Sequence, residues 1–529
     1  MPRRARSTYY SSYNRQEKQR KIPSPLPYLL IALLAGAGLA YFHFFAYQSI
    51  SGKITNAYTG APMPGVRVVV QAAPPAEGTP APQATTTLTA TTGPDGSFVV
   101  DKVPENPIVL VEADGFAPQR MEAAGRRQVD VKLVPNVLRG TIMGADGKPL
   151  VATITAGGTR TVSGADGNYL LKSVPEDRKL VVKAPGYLAA TVQFGQVVTQ
   201  NVTLEPFVAK AIYINGDSIA TPGKLQALLS LVDRTELNAV VIDVKADNSG
   251  LVLYDSKLPL VQELGTSQQL ISNLDGLLAD LKGRKIYTIA RLSVFWDQAA
   301  TNAKPEWALK SKKASGQVWV DGYGKRWANP YNPQVWDYNI AIAKEVASRG
   351  FNEVQFDNTQ FPSEGELEDI DFGPEGAGKK RVDAIAGFLD RAYGELSPLG
   401  VYVASNVFGL TPFVQDDMGV GQRFEDVAAK IDYICPAIYP SLFGDGFMDF
   451  PIPAERPFEV VAETMQAAVA RSGSSPAKVR PWLQDFSGKV QYDAAKVRAE
   501  IDAAEQSGAV GWMLWNFGNV YTEGALKAP

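Results

Sequence analysis

Two residue types that serve most hydrolytic and metal sites are almost absent from this chain of 529 residues, which has one cysteine, Cys435, and one histidine, His43. A single cysteine excludes an intrachain disulfide and a cysteine-rich zinc site. His43 lies in a long apolar run, so the rest of the chain has no histidine, which excludes Ser-His-Asp and Cys-His catalysis and histidine-ligated metals. Any hydrolytic chemistry must use carboxylates, tyrosines or lysines, and we expect neither a metal nor a cofactor.

Charge is distributed unevenly along the chain. The apolar share is 45%, the charged share 20% and the net charge −3, values typical of a globular protein of about three domains. Residues 1–21 carry seven basic side chains and one acidic side chain, a charge of +6, which leaves −9 for the remainder. A body this acidic is poorly suited to a phosphate backbone, so we expect no nucleic-acid partner.

A membrane anchor is predicted near the N-terminus. No Lys, Arg, Asp or Glu occurs between Lys21 and Lys53, and the apolar run is long enough to cross the roughly 30 Å hydrocarbon core. We assign residues 1–21 to a basic cytoplasmic tail and residues 22–48 to a transmembrane signal anchor, with the bulk of the chain outside the cytoplasm. A cleaved signal peptide is the alternative, and it too would export the rest of the chain.

Residues 49–206 contain an internal repeat. Asp95-Gly96 and Val103-Pro104 recur as Asp166-Gly167 and Val174-Pro175, each 71 residues later. The copies, residues 49–134 and 135–206, show short alternating strands separated by Asp-Gly turns, which predicts two small all-β sandwiches. Asp95 and Asp166 could be proposed as calcium ligands, but single Asp-Gly pairs are usually turns.

The two copies resemble carboxypeptidase regulatory-like domains, which are prealbumin-like sandwiches. The matching motifs are Gly52-x-Ile54, Gly65-Val66, Asp95-Gly96-x-Phe98, Val103-Pro104 and Ala113-x-Gly115-Phe116. This resemblance implies a spacer or carbohydrate-adhesive module without chemistry of its own.

Residues 207–529 alternate between apolar strands and helical stretches. Eight strands are predicted at Ala211–Asn215, Ala239–Lys245, Lys285–Phe295, Glu353–Asp357, Val401–Phe408, Tyr433–Tyr439, Val479–Phe486 and Gly511–Phe517, and the stretches between them, such as 268–282, read as helices. This pattern predicts a (β/α)₈ TIM barrel. An open doubly wound sheet is the alternative, weakened because no Gly-rich nucleotide loop follows a strand.

Polar residues at the C-terminal ends of barrel strands are the candidate site residues. We predict catalytic roles for Asp357, Asp485 and Asp243. The predicted substrate contacts are Lys245, Arg291, Trp296, Asn406, Tyr439, Trp482, Trp515 and Asn516. By alternation, Asp357, Asp243 and Lys245 should point into the barrel mouth.

Structural roles compete with these assignments. Asp243 and Lys245 could neutralise each other, Asp485 could be structural, and Asp297 fits a helix cap. All eight tryptophans follow residue 290, several of them in the predicted loop 296–336. There they could expose flat faces to sugar rings, although core packing would account for about half of them.

A barrel without histidine but with paired carboxylates points to glycoside hydrolysis. That reaction needs one carboxylic acid to protonate the leaving oxygen and one carboxylate as nucleophile or base. In many sugar-cleaving barrels these groups end strands four and seven, an analogy of fold that selects Asp357 and Asp485.

Residues 207–529 also resemble a bacterial family of glycosyl-hydrolase-like domains. The motifs that carry the resemblance are Leu237–Lys245, Gly350–Asp357, Phe361-Pro362-Ser363, Phe408-Gly409, Gly421-Gln422, Tyr439-Pro440-Ser441, Arg480–Phe486 and Gly511–Asn516. The resemblance implies a sugar-hydrolase-like barrel. The chain departs from the family pattern at three positions: Gln360 replaces an arginine, Asn406 an aspartate and Leu442 a histidine.

We therefore expect a membrane-anchored, exported glycoside hydrolase that acts on an envelope or extracellular polysaccharide. The alternative is a non-catalytic carbohydrate-binding or envelope scaffold protein with a degenerate barrel, because an Asp-to-Asn exchange removes both nucleophilicity and proton donation. A third hypothesis is a partner-binding module of the cell surface.

Overall fold

The computed structural model of the chain describes residues 29–38, 49–73, 87–104, 106–247, 249–473 and 475–529. Two compact units, Met1–Pro135 and Asn136–Pro529, divide the chain. Residues 29–38 form a helix, α1. Across the described ranges no helix is both long and apolar enough to span a bilayer. Most of the predicted anchor, residues 22–48, lies outside these ranges.

The described residues of the first unit form seven strands in two sheets. They are β1 Ile50–Asn56, β2 Arg67–Ala72, β3 Thr87–Thr91, β4 Ser97–Val100, β5 Pro107–Glu112, β6 Gln119–Glu122 and β7 Val131–Leu133. The sheet orders are β4-β1-β7 and β3-β2-β5-β6. In β1 a Cβ at Gly52 would lie 2.0 Å from the Val129 carbonyl oxygen, so only glycine fits there.

The second copy of the repeat has the same architecture. Its strands are β8 Val137–Gly144, β9 Thr153–Ala156, β10 Thr159–Val162, β11 Asn168–Lys172, β12 Lys179–Lys183, β13 Ala190–Gln193 and β14 Val202–Leu204. They pair as β11-β8-β14 and β10-β9-β12-β13, the same order shifted by seven strands. Gly140 takes the place of Gly52, with a backbone oxygen 1.9 Å from where its Cβ would be. The sequence repeat therefore corresponds to a repeated fold.

Eight parallel strands close into a barrel, as predicted. They are β15 Lys210–Ile214, β16 Ala239–Lys245, β19 Tyr287–Ser293, β21 Glu353–Asp357, β23 Tyr402–Phe408, β24 Tyr433–Ile438, the split strand β25 Lys478–Val479 with β26 Trp482–Gln484, and β27 Trp512–Trp515. The pairing of β15 with both β27 and β16 closes the sheet. Two short strands, β17 Val252–Tyr254 and β18 Ser267–Ile271, add to the sheet beside β16. Two further short strands, β20 Lys310–Ser311 and β22 Ile370–Asp371, pair with each other.

Helices lie between the strands. They are α2 Gly216–Ala220, α3 Pro222–Asp233, α4 Pro259–Leu264, α5 Leu274–Gly283, α6 Gln298–Ala303, α7 Pro333–Arg349, α8 Gly373–Gly376, α9 Arg381–Leu396, α10 Phe424–Ala428, α11 Pro457–Ser472 and α12 Ala494–Gln506. The predicted helix 268–282 is wrong at its start, which is strand β18. Helix α5 begins only after Asn273, whose side chain caps it by accepting the Gly276 N–H.

Side chains of β21 alternate between the barrel interior and the helix layer. Val354 and Phe356 belong to the core shared with the helices. Glu353 forms a buried ion pair with Arg480 inside the barrel, at 2.8 Å. The alternation predicted from the sequence is confirmed, and it directs Asp357 at the end of the strand into the barrel mouth.

The second sandwich is attached to the barrel through Lys183, which ends β12. Its buried ammonium lies 2.8 Å from Asp432 Oδ2 and 2.9 Å from the Val401 carbonyl oxygen. The Tyr402 hydroxyl lies 2.9 Å from the Ala184 carbonyl oxygen, and the N–H of Gly186 donates to the Tyr433 hydroxyl. These contacts lie at the opposite end of the barrel from its mouth, because they involve the N-terminal ends of β23 and β24.

Candidate active site

Three carboxylates converge on one guanidinium at the mouth of the barrel. Arg291 in β19 donates from Nη1 to Asp243 Oδ1 at 2.8 Å. Its Nη2 donates to Asp247 Oδ2 at 2.5 Å and also to Asp357 Oδ2. Arginine suits this place because its planar fork offers several donors in a fixed geometry. The result is a cluster of one cation and three acids.

The strand register accounts for this convergence. Asp243 pairs with Arg291 across β16 and β19, and Asp357 pairs with Ser293 across β19 and β21. Asp247 follows β16 by two residues, where the chain leaves the sheet. The long side chain of Arg291 extends towards the mouth, so it reaches acids that belong to different layers of the barrel.

Asp247 and Asp357 form the closest accessible pair of acids in this cluster. Each accepts a hydrogen bond from the same Nη2 of Arg291, so their bonded oxygens lie no more than two hydrogen-bond lengths apart, about 6 Å. Their side chains are 28% and 18% exposed, whereas that of Asp243 is 5% exposed. Asp243 lies beneath the guanidinium and also accepts a hydrogen bond from the Tyr213 hydroxyl at 2.5 Å.

A cavity of about 220 Å³ opens beside Asp357. Polar and aromatic side chains dominate its wall: Arg291, Asp357, Asn358, Gln360, Asn406, Tyr439, Trp482 and Trp515. The Trp482 and Trp515 rings are perpendicular, with centroids 5.5 Å apart, and Trp482 Nε1 donates to Asn406 Oδ1 at 2.9 Å. Trp515 also carries the Arg291 guanidinium over its ring at 4.9 Å. Flat apolar faces beside polar edges suit a pyranose ring.

Burial and mutual repulsion set the protonation of the acids. Burial and, to a smaller extent, the charge of nearby Asp247 raise the pKa of Asp243 to about 6, against the lowering effect of Arg291. Burial also raises the pKa of Asp247, and the charge of Asp357 adds to this effect. Although burial lowers the pKa of Arg291, the three carboxylates raise it well above its ordinary value, so the guanidinium stays charged.

The arrangement can serve acid–base chemistry on a sugar. Asp247, whose pKa is raised, lies beside Asp357, and an aromatic cavity adjoins Asp357. Over the described parts of the chain, no group of three or more acidic, histidine or cysteine side chains is arranged to hold a metal ion.

Comparison with known families agrees with this geometry. Residues 211–521, more than half of the chain, match the family described as "Putative glycosyl hydrolase domain". The chain belongs to this family. Residues 49–134 match the family described as "Carboxypeptidase regulatory-like domain". The resemblance of the barrel is thereby confirmed, and that of the sandwiches is confirmed for the first copy, residues 49–134.

Several solved structures are similar to this glycosyl hydrolase family member. A hypothetical protein from Ruminiclostridium thermocellum is 34% identical, over 40% of this chain and 98% of that chain, with a TM-score of 0.34. The glycoside hydrolase domain of PgaB (BpsB) from Bordetella bronchiseptica is 15% identical, over 59% and 95%, with a TM-score of 0.45. The glycoside hydrolase domain of PelA from Pseudomonas aeruginosa is 12% identical, over 59% and 96%, with a TM-score of 0.34. No relative of curated function was found.

The structure brings six of the predicted site residues to one cavity. These are Asp357, Arg291, Asn406, Tyr439, Trp482 and Trp515. Gln360 also lines this cavity, and the nearby positive charge comes from Arg291. Leu442 is 71% exposed.

Lys245 requires a correction, because its side chain does not face the barrel mouth. The ladder to β19 shifts between Asp243 and Lys245, which pair with the consecutive residues Arg291 and Leu292. This bulge turns Lys245 towards the helices, where it is fully buried and bonds to Asp297 Oδ2 at 2.7 Å. The predicted neutralisation of Asp243 by Lys245 is therefore wrong, and Lys245 is not placed to contact a sugar.

Asp297 has the predicted capping role. Its side chain accepts the Ala300 N–H at 2.8 Å and so caps α6. It also supplies the counter-charge for Lys245. Burial raises the pKa of Asp297, against the lowering effect of that lysine.

Asp485 lies outside the cavity. Its two carboxylate oxygens accept the hydroxyl and the N–H of Thr522, at 2.7 and 2.9 Å. Asn516 donates to the Asp485 carbonyl oxygen at 2.5 Å. Neither Asp485 nor Asn516 is among the described residues that line the cavity. Asp247 is likewise not among those residues, but it bonds to Arg291 beside Asp357, whereas Thr522 occupies both carboxylate oxygens of Asp485. For this reason we do not assign Asp485 to the acid pair.

The tryptophans of the loop 296–336 are packed more deeply than predicted. Trp307, Trp319 and Trp327 are buried. Trp296 stacks on Trp327 and donates from Nε1 to Asp321 at 3.0 Å. Trp307, Trp319 and Trp327 are part of the large core shared with the barrel, so the expectation that this loop exposes aromatic faces to sugar is wrong for these three side chains.

Three residues of the site escaped the sequence prediction: Tyr213, Asp247 and Asn358. Tyr213 reads as an ordinary strand residue, while Asp247 and Asn358 lie just beyond strand ends. A search that included the two residues after each strand would have found Asp247 and Asn358, because barrel sites are built from those loops.

Proposed function

We propose that the barrel is a glycoside hydrolase in which Asp357 and Asp247 form the two-carboxylate pair. One observation carries this proposal: both acids bond to a single nitrogen of Arg291 beside a cavity lined by Trp482 and Trp515. A pair of neighbouring carboxyl groups is what glycosidic cleavage requires.

In this proposal Asp247 donates the proton and Asp357 acts as the carboxylate. The proton on Asp247 passes to the glycosidic oxygen as the bond to the anomeric carbon breaks. Asp357 then stabilises or attacks that carbon, or activates the water that attacks it. Water finally supplies a hydroxyl to the anomeric carbon. If Asp357 has attacked that carbon, Asp247 takes the remaining proton of the water and regains its acid form; if Asp357 activates the water, Asp357 takes this proton, and exchange with solvent returns both acids to their starting forms. Asp247 suits the acid role because burial raises its pKa, against the lowering effect of Arg291, and the charge of Asp357 raises it as well.

The charge of the site favours a neutral or amino-sugar polysaccharide. Three carboxylates surround one guanidinium, and among the described residues that line the cavity Arg291 is the sole basic side chain. A uronic-acid chain would place further negative charge beside these acids, which is unfavourable in a partly buried site. We propose that such anionic polymers are not substrates.

We further propose that the enzyme is anchored by residues 22–48 and acts outside the cytoplasm. The support is the apolar run without charges after a basic N-terminal segment. In the order of the chain, the two sandwiches come between this segment and the barrel.

A specific observation favours a second candidate, a non-catalytic glycan-binding barrel. Arg291 bonds to all three acids of the cluster, and Asn406 provides an amide where the family has an acid. A site whose acids are all engaged in ion pairs with Arg291 could hold a sugar without cleaving it.

One experiment separates the two candidates. The purified chain is incubated with neutral, amino-sugar and uronic-acid polysaccharides, and both new reducing ends and retained polymer are measured. We expect new reducing ends from a neutral or amino-sugar polymer and none from uronic acids. Retention of a polymer without any new ends would support the second candidate instead.

A further inference from the structure

Asn358 holds an uncommon backbone conformation immediately after Asp357. Its φ angle is +49°, in the left-handed region. Side chains other than glycine rarely adopt this region, and asparagine is among the few that tolerate it. An uncommon conformation beside acids of a candidate site raises the question of what it achieves.

This conformation lets Asn358 bond to both members of the acid pair. Its backbone N–H donates to Asp357 Oδ1 at 2.8 Å. Its side-chain Nδ2 donates to Asp247 Oδ1 at 2.7 Å. These bonds use the carboxylate oxygens that Arg291 leaves free, because Arg291 bonds to the Oδ2 atom of each acid.

Asn358 is itself held by β19 and its continuation. Its Nδ2 also donates to Ser293 Oγ at 3.0 Å, and its carbonyl oxygen accepts the Phe295 N–H at 3.2 Å. The Ser293 carbonyl oxygen in turn accepts from buried Lys245 at 2.7 Å. The amide is therefore fixed by partners that do not belong to the acid pair.

We propose that Asn358 is a positioning residue that holds Asp247 and Asp357 in one orientation and sets the pH range over which Asp247 keeps its proton. The kinetic consequence rests on the proposed function, whereas the effect on protonation does not.

The charged and titratable groups around Asp247 show how the amide acts. Burial raises the pKa of Asp247, the charge of Arg291 lowers it, and the charge of Asp357 raises it. The hydrogen bond from Asn358 lowers it as well. The remaining titratable groups that interact with Asp247 are Asp243, Tyr213 and Tyr439. Loss of the Asn358 amide therefore leaves burial less opposed, and the pKa of Asp247 rises.

The test compares Asn358→Gly and Asn358→Asp with the wild-type chain. Glycine and aspartate both accept the left-handed backbone, so neither variant is expected to disturb the loop. The carboxyl carbons of ¹³C-labelled aspartates are titrated by NMR, and Asp247 is assigned from the signal lost in Asp247→Asn. The midpoint of Asp247 should rise by about one pH unit in Asn358→Gly and by more in Asn358→Asp, which replaces a donor by a negative charge.

Asn273→Asp is the matched control, because it adds the same charge at an exposed helix cap where aspartate serves as well as asparagine. It should leave the Asp247 midpoint unchanged. If a polysaccharide is cleaved, the alkaline limb of the pH–rate profile should move to higher pH in both Asn358 variants. The shift should be larger in Asn358→Asp than in Asn358→Gly. An Asp247 midpoint that stays at the wild-type value in both Asn358 variants would overturn the proposal. Absence of any cleavage by the wild-type chain would count against the proposed function alone, because the titration still decides the role of Asn358.

Discussion

At the scale of single residues, Arg291 organises the site. It lies beneath the cavity and compensates part of the negative charge of three acids. Asp243 and Tyr213 hold Arg291 in position, because Asp243 bonds to both Arg291 and Tyr213. A buried carboxylate without partners would be costly, and the guanidinium relieves this cost while leaving Asp247 and Asp357 partly exposed.

The protonation of Asp243 predicts a dependence of stability on pH. Its pKa in the folded chain is raised to about 6, so between the unfolded value near 4 and pH 6 the folded state binds more protons than the unfolded state. The free energy of unfolding should therefore fall as the pH rises through this window, by on the order of 3 kcal/mol from this group. Asp243→Asn should lose that part of the slope.

Chemical denaturation of the wild-type chain and Asp243→Asn between pH 4 and 7 measures this difference. Buried acids outside the cluster, such as Glu353, titrate in both proteins and cancel in the comparison. Equal slopes in the two proteins would show that Asp243 is not protonated more readily in the folded state.

At the scale of elements, a bulge in β16 separates the site from a structural ion pair. Asp243 faces Arg291, whereas Lys245 faces the helices and pairs with Asp297. Two residues apart on a regular strand would share one face. The bulge therefore gives two separate buried ion pairs, Asp243 with Arg291 and Lys245 with Asp297. Without it, Lys245 and Arg291 would compete for the same carboxylate.

Lys245→Met tests this arrangement. Removal of the lysine leaves Asp297 buried without its counter-charge, and we expect a loss of about 3–5 kcal/mol in the free energy of unfolding. Adding Asp297→Asn should recover much of the loss, because no buried charge then remains. Urea denaturation provides the measurement, with Lys257→Met as the control, since Lys257 pairs with Asp255 at the surface and should contribute less than about 1 kcal/mol. A loss in Lys245→Met no larger than that of the control would contradict the account.

The elements of the barrel were predictable because its strands are buried on both faces. Residues such as Val240 and Ile242 form continuous apolar runs that alternate with amphipathic stretches. The bulge was not predictable, because it depends on the register with a neighbouring strand. The buried tryptophans of the loop 296–336 were missed because contacts within the loop, such as Trp327 with Asp321, bury them.

The candidate site was only partly predictable, because part of it depends on tertiary contacts that the sequence does not show. Asp357 and Arg291 follow from the rule that barrel sites lie at strand ends. Asp247 and Asn358 lie in the loops that follow the strands, where tertiary contacts set the direction of a side chain. Asp485 satisfies the same rule, yet Thr522, 37 residues later in the chain, occupies its carboxylate.

At the scale of the whole molecule, Lys183 makes the second sandwich part of the same compact unit as the barrel. The ammonium lies among Asp432, the Val401 carbonyl oxygen and the rings of Tyr393 and Tyr402. The Lys183 side chain is almost completely buried. The sandwich therefore contributes a charge that the barrel cannot supply for Asp432.

Lys183→Met should destabilise the sandwich and the barrel together. Asp432 would lose its buried counter-charge, at a cost of about 3–5 kcal/mol. Lys148→Met is the control, because Lys148 is a lysine of the same sandwich that is 75% exposed. Thermal unfolding followed by tryptophan fluorescence reports on the barrel, where all eight tryptophans lie. An unchanged barrel transition in Lys183→Met would show that the sandwich is only loosely attached.

The central claim is that Asp247 and Asp357 form the acid pair, and the most direct test is hydrolysis of one cleaved polysaccharide by three matched variants. Asp357→Asn and Asp247→Asn should each lower the rate by about 10²–10⁴-fold while folding is preserved. Asp485→Asn removes an acid that follows barrel strand β26 and lies outside the cavity, and it should retain most of the rate. A large loss in Asp485→Asn, with Asp247→Asn close to wild type, would contradict the account.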